Sequence, residues 1–162
     1  MSVVPVKLDL GTTVPLKAHP ATPGEDAAFD LVSTEQVELF PGDTKLVGTG
    51  ARLAIPRDCV GLVCSRSGMA LHSNIIVLNA PGVIDPGYRG EIKVILHRLP
   101  GPQPWTELTP KNIEIGHRIA QLLILRTERV FFANGPAWDI AQHFPEEESG
   151  GRGSAGFGST GR

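Results

Sequence analysis

The chain has 162 residues, about a fifth of them glycine or proline, and a formal net charge of −2. That glycine and proline load excludes a long-helix or coiled-coil protein, because proline breaks helix interiors and glycine weakens them. A hydrophobic content of 41% argues against wholesale disorder, and the lack of a basic surplus argues against a general nucleic-acid coat.

In chain order, short apolar runs alternate with turn signals. Runs at 3–10, 28–32 and 36–40 come first, and the last of these ends at the turn Phe40-Pro41-Gly42-Asp43. Residues 51–55 run to Pro56-Arg57-Asp58, and 60–64 follow. One short helix is predicted near Gly68 to Ser73. In 91–97, Ile92, Val94 and Leu96 fall on one face with Glu91 and Lys93 opposite, the period of a half-buried strand. Residues 119–125 are nearly all apolar and predict a strand covered on both faces. Strands at this spacing predict an all-β sandwich or barrel. Residues 99–104 have no helical option.

No stretch reaches the roughly 18 apolar residues of a membrane span. The first residues lack the pattern of a signal peptide, so a cytoplasmic protein is expected. Cys59 and Cys64 are five apart and on one strand would face opposite ways, which predicts two buried, reduced thiols. Neither C-x-x-C nor H-E-x-x-H occurs.

After Phe144-Pro145 the character changes. Three glutamates, 146–148, precede SGGRGSAGFGSTGR, a segment unable to form a core of its own. A disordered tail is one reading. A lid over a nucleotide is the other, with Arg152 as the charge, Phe157 as the stacking ring and Gly158-Ser159-Thr160 as an anion cradle.

The phosphate-binding pattern G-x-x-x-x-G-K-[ST] is absent, so phosphate chemistry here needs another cradle. In Ser65-Arg66-Ser67-Gly68, Arg66 suits forked pairing with phosphate, while Ser67 and the Gly68 amide add donors. An exposed arginine beside a helix cap at Ser67 explains the same residues. Arg118 and Gln121 interrupt an apolar strand, either to meet a partner or as solvated edge positions. Between Asn79 and Gly90, two proline–glycine pairs bracket Val83, Ile84 and Asp85, with Tyr88 following. A hairpin with a base-reading amide, a general base at Asp85 and a ring at Tyr88 is one reading, and an ordinary β-turn is the other.

In combination these segments resemble the trimeric deoxyuridine triphosphatase (dUTPase) family. Five of its motifs appear in order: 23–31 (PGEDAAFDL), 65–70 (SRSGMA), 79–94 (NAPGVIDPGYRGEIKV), 116–122 (GHRIAQL) and 152–161 (RGSAGFGSTG). The resemblance implies a jelly-roll-like β domain over 1–145, a homotrimer, and an exchanged arm over 146–162 that closes the active site of another chain. It implies hydrolysis of dUTP to dUMP and pyrophosphate by water attack on the α-phosphorus. Mg²⁺ would be held mainly by the triphosphate. Such an activity limits uracil in DNA and supplies dUMP for dTMP synthesis.

By the same resemblance Asp85 is the catalytic carboxylate. Asn79 and the backbone of Gly82, Val83 and Ile84 read uracil, and Tyr88 lies against the deoxyribose. Arg66, Ser67, Gly68 and Gln121 contact phosphates. Arg118 is structural near the site, and Asp30 reaches the metal through water. In the arm, Arg152, Gly158, Ser159 and Thr160 contact the γ-phosphate and Phe157 stacks on uracil. No nucleic acid or membrane is an expected partner. Ser65, His117, Ala155 and Phe29 depart from the family pattern, as does Pro86-Gly87.

The related dCTP deaminases share the fold, but their proton-moving glutamate would fall at Ile95, which cannot serve. A non-catalytic nucleotide sensor and a ligand-free structural jelly roll are weaker alternatives, because Asp85, Tyr88 and the arm motif are all present.

Overall fold

In the computed structural model, residues 7–10, 27–101 and 109–128 are described, with side chains from 27 onward. The chain divides into two units, Met1–Glu128 and Arg129–Arg162, and the described residues all belong to the first.

Eleven strands and one short helix make up the described elements. In order they are β1 (Lys7–Leu10), β2 (Phe29–Val32), β3 (Val37–Leu39), β4 (Thr44–Gly48), β5 (Ala51–Ala54), β6 (Cys59–Cys64), α1 (Ser67–Ser73), β7 (Ile75–Val77), β8 (Gly82–Ile84), β9 (Lys93–Arg98), β10 (Lys111–Ile113) and β11 (Arg118–Arg126). All pairings are antiparallel. One sheet runs β2-β11-β6-β8 and another β4-β9-β7, with two-stranded pairs β1-β5 and β3-β10.

The period-2 pattern explains the burial. On β9, Val94 and Leu96 are buried, Ile92 just ahead of it is buried too, and Lys93 is exposed. On β6 the odd positions, Cys59, Gly61 and Val63, point inward. One core joins Leu31, Val63, Ala120 and Leu122 of the first sheet to Val47, Val77, Val94 and Leu96 of the second, and Leu39, Ile113 and Leu53 of the two-stranded pairs belong to the same cluster.

Several sequence expectations shift. β4, β7 and β10 emerge where no strand is predicted. The long β11 is covered on one side only, since Leu123 is half-buried and Leu125 is 45% exposed. Of the two cysteines, Cys59 is buried and Cys64 half-buried, and both are free thiols. Burial, with the Asp58 carboxylate beside it, pushes the Cys59 thiol above its ordinary range.

The helix starts one residue earlier than its predicted span, at Ser67. Arg66, extended at φ −90° and ψ 129°, takes the cap position, and no side chain caps the helix. Ser67 is therefore inside the first turn and does not act as its cap. At the other end Asn74 adopts the left-handed conformation that ends many helices, and its N–H donates to the carbonyl of Met69.

Arg98, at the end of β9, is 3% exposed. Its guanidinium donates to the carbonyl of Leu39 at 2.9 Å and to that of Thr109 at 2.7 Å. No described helix is long and apolar enough to cross a membrane.

Candidate active site

Two groups of candidate residues take shape on different parts of this framework. The first gathers around Asp30 on β2. Asp30 alternates with the core residue Leu31, so it points away from the core, yet it is 6% exposed. Two arginines meet it. Arg66 Nε donates to Oδ1 at 3.0 Å, and Arg118 Nη1 donates to Oδ2 at 3.2 Å. Arg66 also donates to the carbonyl of Arg118 at 3.1 Å.

A register shift between Arg118 and Ala120 positions this triad. It buries Ile119 and Ala120 in succession and leaves Arg118 free to turn toward Asp30. In the same register Gln121 lies opposite Asp30 on one side and Cys64 on the other. Directly opposed residues share a face, so Asp30, Gln121 and Cys64 form a row across three strands. Ser67 and Gly68 are exposed at the start of α1, beside Arg66. A cleft of about 350 Å³ opens here, lined by Arg66, Met69, Lys111, His117 and Arg118 among others.

Two departures from the family pattern find a physical reason. Ser65 Oγ accepts the N–H of Val77 at 2.8 Å and so holds β7 against the strand end before α1. A proline there has no hydroxyl to do this. The His117 ring accepts the N–H of Glu114 at 3.0 Å through Nδ1, which tightens the turn before β11.

The second group surrounds β8. Asn79 is exposed, and its Nδ2 lies 3.2 Å from where a Cβ on Gly82 would stand, so glycine makes room for the carboxamide. The Ala80–Pro81 peptide between them is cis. After β8, the N–H of Tyr88 donates to the carbonyl of Asp85 at 3.0 Å, closing the turn Asp85-Pro86-Gly87-Tyr88. Arg89 fixes that turn by donating to the carbonyls of Pro86 at 2.7 Å and Tyr88 at 2.8 Å. The Tyr88 hydroxyl donates to the carbonyl of Glu91 at 2.8 Å. Its ring occupies the space where a Cβ on Gly90 would be, so a larger residue there must push the ring aside.

The Asp85 side chain is exposed and has no hydrogen-bond partner among the described residues. With Val83, Ile84 and Tyr88 it lines a cleft of about 590 Å³, along with Arg52, Glu91 and Lys93. This cleft and the arginine cleft have no lining residue in common. One chain thus carries a carboxylate-and-ring surface and a separate cationic surface. Ile95, the position a deaminase needs for its glutamate, is half-buried on β9 opposite Leu46. Arg152, Phe157, Gly158, Ser159, Thr160 and the whole arm lie outside the described residues, as does the start of the first motif.

The dUTPase family model matches residues 15–161, nearly the whole chain. The chain belongs to the dUTPase family. Among curated relatives, the deoxyuridine 5'-triphosphate nucleotidohydrolase of Nocardia farcinica is 43% identical over 162 residues, 99% of this chain and 87% of its own length. That of Mycobacterium tuberculosis is also 43% identical, over 96% of this chain and 92% of its own. The dUTPase of Staphylococcus bacteriophage 80alpha, solved with dUPNHPP, superposes with a TM-score of 0.77 at 24% identity, covering 98% of this chain and 99% of that one. A dUTPase of S. aureus phage phi11, solved for the coordination of a structural Mg(II) ion, gives a TM-score of 0.71 at 20% identity over 83% of this chain and 99% of its own. The fold is thus the jelly roll of this family.

For Mg²⁺, the described residues contain no cluster of three or more His, Cys, Asp or Glu side chains. Both Asp30 oxygens face guanidiniums, so this carboxylate is not open for direct coordination. Each oxygen keeps a lone pair that suits a metal-bound water. The chemistry fits a hydrated ion carried chiefly by phosphates, the common arrangement for Mg²⁺.

Sequence reasoning gave no role to Glu91, Arg89 or Arg52, which donates to the carbonyl of Arg89 at 3.2 Å, and did not foresee the bond from Val77 to Ser65. Glu91 left a trace in the sequence as a charge opposite the apolar face of 91–97, and Ser65 as a departure from the family pattern.

Proposed function

We propose that this chain hydrolyses dUTP to dUMP and pyrophosphate, with Asp85 orienting and deprotonating the water that attacks the α-phosphorus. The observation that carries the reading is the exposed Asp85 carboxylate on the same cleft wall as Tyr88, in a chain 43% identical to named dUTP hydrolases. A positioned base typically contributes about 10²–10⁴-fold.

Asn79 and the β8 backbone read the uracil edge, with Gly82 leaving space for the amide. Tyr88 lies flat on the deoxyribose and disfavours a 2′-hydroxyl. Arg66, Ser67, Gly68 and Gln121 hold the phosphates, and Asp30 keeps Arg66 and Arg118 aimed. Mg²⁺ held by the triphosphate, and reached by Asp30 through water, would neutralise charge on the phosphoryl oxygens.

The separate clefts support assembly from more than one chain, with the cationic surface of one protomer facing the Asp85 surface of its neighbour in a homotrimer. In this reading residues 1–145 form the β domain. The arm over 146–162, with Arg152, Phe157 and Gly158-Ser159-Thr160, closes the site of another chain. The protein works in the cytoplasm, where it limits uracil in DNA and supplies dUMP.

A nucleotide panel tests this. With Mg²⁺ present, dUTP, dTTP, dCTP and UTP are assayed for pyrophosphate and ammonia. Fast pyrophosphate release from dUTP alone is the expected result. Ammonia from dCTP, or equal cleavage of dTTP and UTP, overturns it.

A further inference from the structure

The hydrogen bonds around Tyr88 run on into a second turn. The turn between β4 and β5, Gly48-Thr49-Gly50, is buried, and its amides need acceptors. Glu91 Oε1 accepts the N–H of Thr49 at 3.1 Å and that of Gly50 at 2.9 Å. A Cβ on Gly48 would lie 2.9 Å from that same oxygen, so the glycine vacates the space the carboxylate needs. On the far side of the turn, Thr49 Oγ1 donates to the carbonyl of Ile92 at 2.5 Å, and the N–H of Ile92 donates to the carbonyl of Ala51 at 2.8 Å. The segment 91–92 is thereby held from both sides by residues more than 40 positions away in sequence. The carbonyl of Glu91 is the acceptor for the Tyr88 hydroxyl.

We infer that Glu91 is a positioning residue for the substrate site: its carboxylate locks residues 91–92 onto the β4–β5 turn, and its carbonyl thereby fixes the tilt of the Tyr88 ring. This deepens the proposed function and rests on its placement of Tyr88 against the sugar. Glu91 touches no reacting atom. What it sets is the angle of the ring that discriminates deoxyribose from ribose. The Oε1 acceptor is the part that matters, because the pair with Lys93, at 3.8 Å and half-exposed on the lysine side, is weak.

The chain has one tyrosine, so labelling tyrosine with ¹³C gives a single ring signal that reports Tyr88 alone. The full-length protein is compared with E91Q, which keeps an acceptor oxygen, and with E91A, which removes it. E91D, which withdraws the acceptor by one methylene, supplies the test if E91A fails to fold. In E91A or E91D the Tyr88 signal shifts or broadens. The kcat/KM for dUTP falls about tenfold or more, as a displaced positioning group can cause, and the dUTP-over-UTP preference narrows. In E91Q the Tyr88 signal, the kcat/KM and the preference stay near wild type.

An E91A or E91D protein with an unmoved Tyr88 signal and an unchanged dUTP-over-UTP preference overturns the inference. So does E91Q as damaged as E91A, which would assign the effect to charge. Adding dUPNHPP to the wild-type protein separates the two levels. If the nucleotide leaves the Tyr88 signal unmoved, the placement of Tyr88 at the sugar is wrong, whereas the response of that signal to E91A still decides the positioning link.

Discussion

Replacing Asp30 with alanine strips the shared acceptor from two arginines at once. The Asp30 side chain is 8% exposed, Arg66 21% and Arg118 42%. Removing one partner of a fully buried ion pair costs about 3–5 kcal/mol, and an exposed pair is worth about 0–1 kcal/mol. Here the buried member is deleted, and the two left behind are partly hydrated, so the expected loss lies between these limits, at about 2 kcal/mol. For a chain of this size that corresponds to a drop in Tm of about 4–8 °C. D30N keeps one acceptor oxygen without the charge and should lose about half as much. The assay is urea unfolding followed by far-UV circular dichroism, at one fixed protein concentration, because the proposed trimer would make the midpoint concentration-dependent. A double-mutant cycle with R118M adds a control. Its combined loss should fall short of the sum of the single losses, since the Asp30–Arg118 bond can be broken only once. A D30A protein within about 0.5 kcal/mol of wild type, or strict additivity in the cycle, would show that the triad does not hold this face together.

Other consequences are equally open to measurement. G90A drives a Cβ into the Tyr88 ring and should destabilise by about 1–3 kcal/mol while lowering kcat/KM for dUTP, read by urea melts and steady-state kinetics. D85N should bind dUPNHPP near normally but lose about 10²–10⁴-fold in turnover, and near-normal pyrophosphate release would rule out Asp85 as the base. Iodoacetamide at pH 8 followed by mass spectrometry should mark Cys64 well before Cys59, because Cys59 is buried and its thiol is held protonated. A thiol with a raised folded-state pKa keeps its proton where the unfolded chain has lost it. Its contribution to stability is therefore whole below the unfolded thiol's pKa of roughly 8.5 and declines as pH rises toward the folded value. C59A should flatten that alkaline decline in urea midpoints.

Residues with strong local signals were legible in the sequence. The alternation of Ile92, Val94 and Leu96 puts those three inside, and the opposed phases of Cys59 and Cys64 keep the thiols apart. Elements with weak local signals were not. β7 follows α1 after a single left-handed asparagine, with no proline or glycine to mark the junction. β4 opens on Thr44 and Lys45, both exposed, and reaches the core only at Val47. Ser67 has the composition of a helix cap, but the backbone begins the helix one residue early. The motifs made Asp30, Arg66 and Arg118 visible as candidate site residues. That one carboxylate serves two arginines follows from a register shift, which composition does not encode. The bonds between the Glu91 carboxylate and Gly50 and between Arg98 and Leu39 left no local signal, because they span 41 and 59 residues.

Arg98 has an implication for how this chain tolerates change. Its guanidinium joins the end of β9 to Thr109, so the segment that leaves after Leu99 and returns at Thr109 is already tied shut at its base. Closing a longer loop on a fixed base adds only about 0.6 kcal/mol for each doubling of length. An insertion between Leu99 and Thr109 should therefore cost little stability, provided Arg98 is kept.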